Sequence, residues 1–181
     1  MPALVFSLIY FTTASCFSHV RSETLLSIQK PSSQTITSLG RDSSKAVDGN
    51  RNADWYAGSC TLSDMVDSWW KVDLEASHLI GRIDIYNRVD RHTDEMAHLT
   101  ISTSLDNTNF KVCGGWGPVI PYTFDNATVK LVRVDSCQLR MARWVKIARS
   151  TDFYRLILCE IEVYAGNFFL SHMNIYLSFI I

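Results

Sequence analysis

Six short stretches of this chain alternate apolar and polar residues with a period of two: Trp70-Lys71-Val72-Asp73-Leu74, Ile83-Asp84-Ile85-Tyr86, Leu99-Thr100-Ile101-Ser102, Leu131-Val132-Arg133-Val134, Trp144-Val145-Lys146-Ile147 and Ile161-Glu162-Val163-Tyr164. Successive side chains of an extended strand point to opposite faces, so each stretch reads as a strand with one face buried. Turn-forming segments at Asp106-Asn107, Gly114 to Pro118 and Asp125-Asn126 separate them, and no long amphipathic helical window lies between. The pattern predicts an all-β antiparallel sandwich and excludes an α/β fold. Residues 30–60, rich in Ser, Thr, Asp, Asn and Gly, are predicted to be loop with at most short strands.

A chain of 181 residues has room for one well-buried core. Residues 1–21 open with the uncharged apolar run Met1 to Cys16 and small residues at Thr13, Ala14 and Ser15, the pattern of a secretory signal. The folded domain is assigned to residues 22–166. Residues 167–181 form an apolar tail of unassigned role, too short and too polar at Ser171, His172 and Asn174 to span a membrane. Lys+Arg 17 against Asp+Glu 18 leaves a net charge of -1, which argues against nucleic acid as a partner. Membrane association is expected only through glycans or that tail.

Loss of Cys16 with the signal leaves Cys60, Cys113, Cys137 and Cys159, an even set that implies two disulfides in one of three pairings. The sequon Asn126-Ala127-Thr128 marks an exposed turn in an exported, glycosylated chain.

Asp48-Gly49-Asn50-Arg51-Asn52-Ala53-Asp54 packs four oxygen-bearing side chains around a glycine. Calcium asks for six to eight oxygens, many of them loop carbonyls. The EF-hand pattern fails, for no Glu stands at the twelfth position and no helices flank the loop. A solvated Asx turn has the same composition, so the segment alone leaves both readings open.

Five blocks in order carry a resemblance: Ala46 to Asn52, Ala57-Gly58-Ser59-Cys60, Trp69 to Leu74, Ile85 to Asp90, and Leu158 to Val163. Over about residues 30 to 165 the chain resembles the F-type lectins (fucolectins), which are related in fold to discoidin and coagulation-factor C domains. The resemblance implies an eight-stranded antiparallel jelly-roll β-sandwich of discoidin type. It also implies calcium, held by the Asp48 carboxylate, the Asn50 carbonyl, the Ser59 hydroxyl and carbonyl, the Cys159 carbonyl and the Glu160 carboxylate. Lys45 stands where the family usually has Asn, a harmless change if that position supplies only a carbonyl. The same resemblance implies a Cys60–Cys159 disulfide beside the ion and, with it, a Cys113–Cys137 disulfide; closing loops of such length is worth about 3 to 5 kcal/mol.

The family binds fucose with a His, an Arg-x-Asp motif, and an Arg or Lys five residues after that Asp. Arg88 and Asp90 match the motif, with Arg91 as a further candidate donor. Leu62 stands at the His position, Glu95 at the last basic position, and Arg91-His92 where adjacent cysteines often follow. Charged donors to sugar oxygens are worth about 1.5–3 kcal/mol each, and a guanidinium braced by Asp presents its donors in a fixed fork. Leu62 cannot donate, and ionised Glu95 cannot either; Arg91, His92 or His98 are candidate substitutes. Arg88 and Asp90 also read as a purely structural pair.

Trp70 or Trp69 must face the core, since neighbours on a strand point opposite ways, and Trp116 on its Gly-rich turn is the expected exposed aromatic. No nucleophile elbow, HExxH or phosphate loop argues for an enzyme. Two readings follow: a secreted calcium-dependent lectin for fucosylated glycans, gaining avidity as a homo-oligomer, and an adhesion module for protein or lipid headgroups. Exposure of Leu62, Met65, Val66 and Met96 at loop tips would favour the second.

Overall fold

The computed structural model describes residues 23–90, 96–117, 123–124, 130–149 and 155–166. Residues 1–21, which contain Cys16 and are expected from the sequence to be a signal, the tail 167–181, Arg91, His92, Glu95 and the Asn126 sequon lie outside the described residues.

Eight strands occur among the described residues: β1 (Ser32–Gln34), β2 (Trp69–Asn87), β3 (Leu99–Ser104), β4 (Lys111–Trp116), β5 (Thr123–Phe124), β6 (Lys130–Val134), β7 (Arg140–Arg149) and β8 (Glu160–Ala165). Every pairing is antiparallel. The Trp70 and Ile83 stretches, two separate strands by their alternation, are halves of the single strand β2. Its register shifts between Asp73 and His78 and again between Ile80 and Arg82. Such bulges bend a strand without ending it, and this lets β2 serve both layers. Its first half pairs with β1 and β7, which continues to β3 and β4; its second half pairs with β6 and β8, and β6 with β5.

The inward positions of both halves meet in one core. Trp70, Ile83, Ile85, Ile101, Ile147, Ile161 and Val163 are all essentially inaccessible to solvent. Trp70 satisfies its buried indole N–H on the Ser43 carbonyl at 3.0 Å. Trp69 takes the opposite, half-buried side, as strand alternation requires. Trp116 corrects the expectation of exposure: it packs against the core and donates Nε1–H to the Met96 carbonyl at 2.7 Å. Met96 and Leu62 are likewise buried, at 0% and 3% exposure, so only Met65 and Val66 of the four apolar loop residues face solvent.

The disulfides join Cys60 to Cys159 and Cys113 to Cys137. At the β3–β4 pairing, Gly115 has φ +145° and lies opposite Thr100, where an added Cβ would run into the Leu99 carbonyl oxygen. Both conformation and space therefore require glycine. Gly115→Ala is expected to lower stability by about 2 kcal/mol or more, read from the urea midpoint; an unchanged midpoint would show that the two strands do not approach this closely.

Candidate functional site

The loop from Asp48 to Asp54 has neither helix nor strand, and it holds itself by side chains. Asp48, Asn50, Asn52 and Asp54 each accept the backbone N–H two residues ahead, at 2.8, 3.0, 3.0 and 2.9 Å. Four successive Asx turns make an irregular segment stiff at the expense of its own polar groups. Ser59, buried, donates its hydroxyl to the Asn52 carbonyl and fixes the loop from the other side. The Cys60–Cys159 disulfide then ties the residue after Ser59 to the residue before Glu160.

Glu160 is where this loop meets β8. Its Oε1 accepts the Gly49 N–H at 3.2 Å, while its buried Oε2 has no hydrogen-bond partner among the described residues. Burial, and next the nearby Asp48 charge, push its carboxyl up to about 8. Glu162, two residues along the same strand and equally buried, shows the contrast. Arg51 grips it with Nε and Nη2 at 2.7 and 2.8 Å, and the Tyr86 and Tyr164 hydroxyls donate to it at 3.2 and 2.8 Å. An interior that satisfies one carboxylate fully and leaves the other with an orphaned oxygen beside a second carboxylate fits a cation better than it fits water. Among the described residues no three His, Cys, Asp or Glu side chains cluster as a metal site. A donor set here depends on loop carbonyls and the Ser59 hydroxyl as much as on Asp48 and Glu160, which suits a hard cation. Asn50 uses its side-chain oxygen within the loop, and Lys45 sits in a single 3-10 turn, Ser43–Ala46.

The Arg-x-Asp motif lies just past the end of β2. Arg88, 4% exposed, donates Nε and Nη2 to the two Asp90 oxygens at 3.0 and 2.6 Å. Asp90 also accepts the Trp55 N–H at 3.3 Å, and chiefly the Arg88 fork holds its carboxyl down at about 2. The Trp55 ring contacts two guanidiniums, Arg41 at 3.5 Å and Arg88 at 4.8 Å. Arg41 in addition donates Nη2 to the Trp55 carbonyl at 2.8 Å.

These groups border a cleft of about 210 Å³ lined by Trp55, Tyr56, Leu62, Asp64, Arg88 and Arg155, with Leu39 and Ile157 completing the wall. Leu62 packs with Ile157 and the Cys60–Cys159 pair in a small apolar cluster. A larger cleft of about 590 Å³ lies by the β3–β4 turn. Its Asp106 carboxylate is consumed within that turn by the N–H groups of Thr108 and Asn109 and by the Ser104 hydroxyl, so the smaller cleft holds the better-prepared chemistry. Trp55, Asp64 and Arg155 went unread in the sequence. The aromatic pair Trp55-Tyr56 inside a polar loop was a signal for the first, but no pattern marked the other two.

An eight-stranded antiparallel jelly roll carrying such loops places the molecule among the discoidin-like β-sandwiches. Residues 28–155 match the F5/8 type C domain, and the chain belongs to that family. Fucolectin-4 of Anguilla japonica is 31% identical over 124 residues, covering 67% of this chain and 66% of that protein, just under two thirds of its length. A fucose binding module of Streptococcus pneumoniae aligns with a TM-score of 0.66 at 28% identity, over 80% of this chain and 96% of that one. The fucolectin from striped bass (Morone saxatilis) serum shares the fold, with a TM-score of 0.69 at 23% identity over 80% of this chain and 50% of that one.

Proposed function

We propose that this protein is a secreted, calcium-dependent lectin that binds fucosylated glycans in the cleft at Arg88. The observation that carries the reading is the Arg88–Asp90 fork, buried and fixed, with Arg88 lining a cleft whose walls also carry aromatic and aliphatic side chains. A pyranose offers both an apolar face and hydroxyl and ring oxygens, and such a site addresses both. The fucolectin relatives and the S. pneumoniae fucose binding module support fucose as the sugar and binding rather than catalysis as the activity. The two disulfides support an exported protein.

Calcium would be held by the carboxylates of Asp48 and Glu160, the hydroxyl and carbonyl of Ser59 and the carbonyls of Asn50 and Cys159, with Lys45 contributing at most a carbonyl. When bound, the ion would supply the positive charge that lets the buried Glu160 carboxylate ionise beside Asp48. This chain's own residues do the rest: the Asx turns hold the loop, and the disulfide keeps Ser59 beside β8. A single shallow sugar site binds weakly, so avidity is assigned to a homo-oligomer on clustered glycans. Calorimetric titration of the oxidised, calcium-loaded protein with L-fucose is expected to give saturable heat that exceeds that with galactose or mannose. Absence of heat with all three sugars on a folded protein would overturn this reading.

A further inference from the structure

Leu62 leaves the cleft with an aliphatic group where a donor was expected, and Arg88 alone cannot grip a sugar from more than one side. We propose that Arg155 is the second guanidinium donor of this cleft, the donor having moved from one chain segment to the segment paired with it. The inference rests on the sugar-binding reading of the same cleft and names how its ligand is held.

The pairing is explicit in the backbone. Ser63 and Leu156 exchange both hydrogen bonds, at 3.0 and 2.8 Å, in an isolated antiparallel bridge. Antiparallel pairing sets neighbours across from neighbours, so Asp64 faces Arg155 and Leu62 faces Ile157. The side chains follow this register: Arg155 donates Nε to Asp64 Oδ1 at 3.2 Å, and Leu62 packs with Ile157. Residue 62 thus supplies apolar wall, and the charge appears on the facing segment, inside the same cleft as Arg88.

Arg155 is also held in a way that a simple surface arginine is not. Its φ is +66°, a left-handed conformation that glycine adopts far more easily than arginine. Buried Arg149 donates Nη1 to the Arg155 carbonyl at 2.5 Å, and the Leu156 bridge clamps the next residue. A turn needing only that backbone shape is served by glycine; holding an arginine there keeps a side chain in a set direction, as strained binding-site residues do. The side chain is 48% exposed against 5% for Arg88, so Arg88 lies in the floor and Arg155 at the rim. Each is braced by its own carboxylate, Asp90 and Asp64. A guanidinium has five N–H donors, more than one carboxylate can use.

The test is titration of the oxidised, calcium-loaded full chain with methyl α-L-fucoside, with thermal unfolding of each variant alongside. Arg155→Ala is expected to weaken binding about 10- to 100-fold, the effect of one charge-assisted donor, while the melting temperature and its response to calcium stay as in the unsubstituted protein. Arg155→Lys is expected to recover part of the loss, since it keeps the charge without the fork. Asp64→Asn should weaken binding less than Arg155→Ala. Affinity unchanged in Arg155→Ala, with Arg88→Lys impaired, would overturn the assignment of Arg155 and leave the lectin reading standing. A folded, unsubstituted protein that does not bind the fucoside would overturn both.

Discussion

In calcium-free buffer the stability of this protein is expected to fall as pH rises from about 5 to 8, and saturating calcium is expected to remove the fall. The cause is Glu160, 1% exposed, with one oxygen unpartnered among the described residues and its carboxyl pushed up to about 8, first by burial and then by Asp48. Between the ordinary value of 4.5 and about 8, the folded state holds a proton that the unfolded chain has released. The folded state therefore binds more protons there, and the unfolding free energy declines with pH, by on the order of 3 kcal/mol over the range. On the proposed reading, an ion bound between Asp48 and Glu160 would take the place of that proton. At a hundredfold excess over its Kd such an ion would add about 2.7 kcal/mol. Glu160→Gln is expected to abolish both the pH slope and the calcium shift, and Asp48→Ala to abolish the calcium shift and shrink the slope. Urea midpoints at pH 5.5 and 8, in chelator and in calcium, read all of this at once. A calcium shift that persists in Glu160→Gln would place the ion elsewhere.

Arg88→Ala is expected to eliminate fucose binding and also to lower stability. It strips Asp90 of its bidentate partner and leaves a half-buried carboxylate, a change that costs about 3–5 kcal/mol where the pair is fully buried and less here. Because that variant mixes two effects, Arg88→Lys separates them: it preserves the charge near Asp90 but gives up the fork that aims the donors. We expect Arg88→Lys to melt within a few degrees of the unsubstituted protein and to bind L-fucose at least about tenfold more weakly. Full affinity in Arg88→Lys would mean that Arg88 only holds the loop, as the structural reading of that pair has it.

The strands were legible because burial on one face leaves a period of two in the residues that pay for it. Trp70, Val72, Ile83, Ile85, Ile101, Val145, Ile147, Ile161 and Val163 all point inward as their alternation requires. What the alternation missed was continuity: Glu75 to Ser77 are exposed and break the pattern, yet the backbone runs on through bulges as one strand from Trp69 to Asn87. Trp116 was misread for a related reason. A glycine-rich neighbourhood signals a turn, but here Gly115 permits close approach to β3 and lets the indole lie on the core.

The candidate cation site divides the same way. Asp48, Asn50, Asn52 and Asp54 stand at every second position, and their Asx turns depend only on residues two apart, so a local sequence suffices to determine that loop. The all-β class and the residues that face inward were determined at that level too, since both follow from side-chain direction along a strand. That one Glu160 oxygen lacks a partner among the described residues while Glu162 has three partners, that Ser59 reaches back to Asn52, and that Arg155 shares a cleft with Arg88 were decided only by tertiary structure. Those relations join residues 7 to 111 positions apart, and no local rule of spacing carries the position of one segment relative to another; strand register and the two disulfides set it.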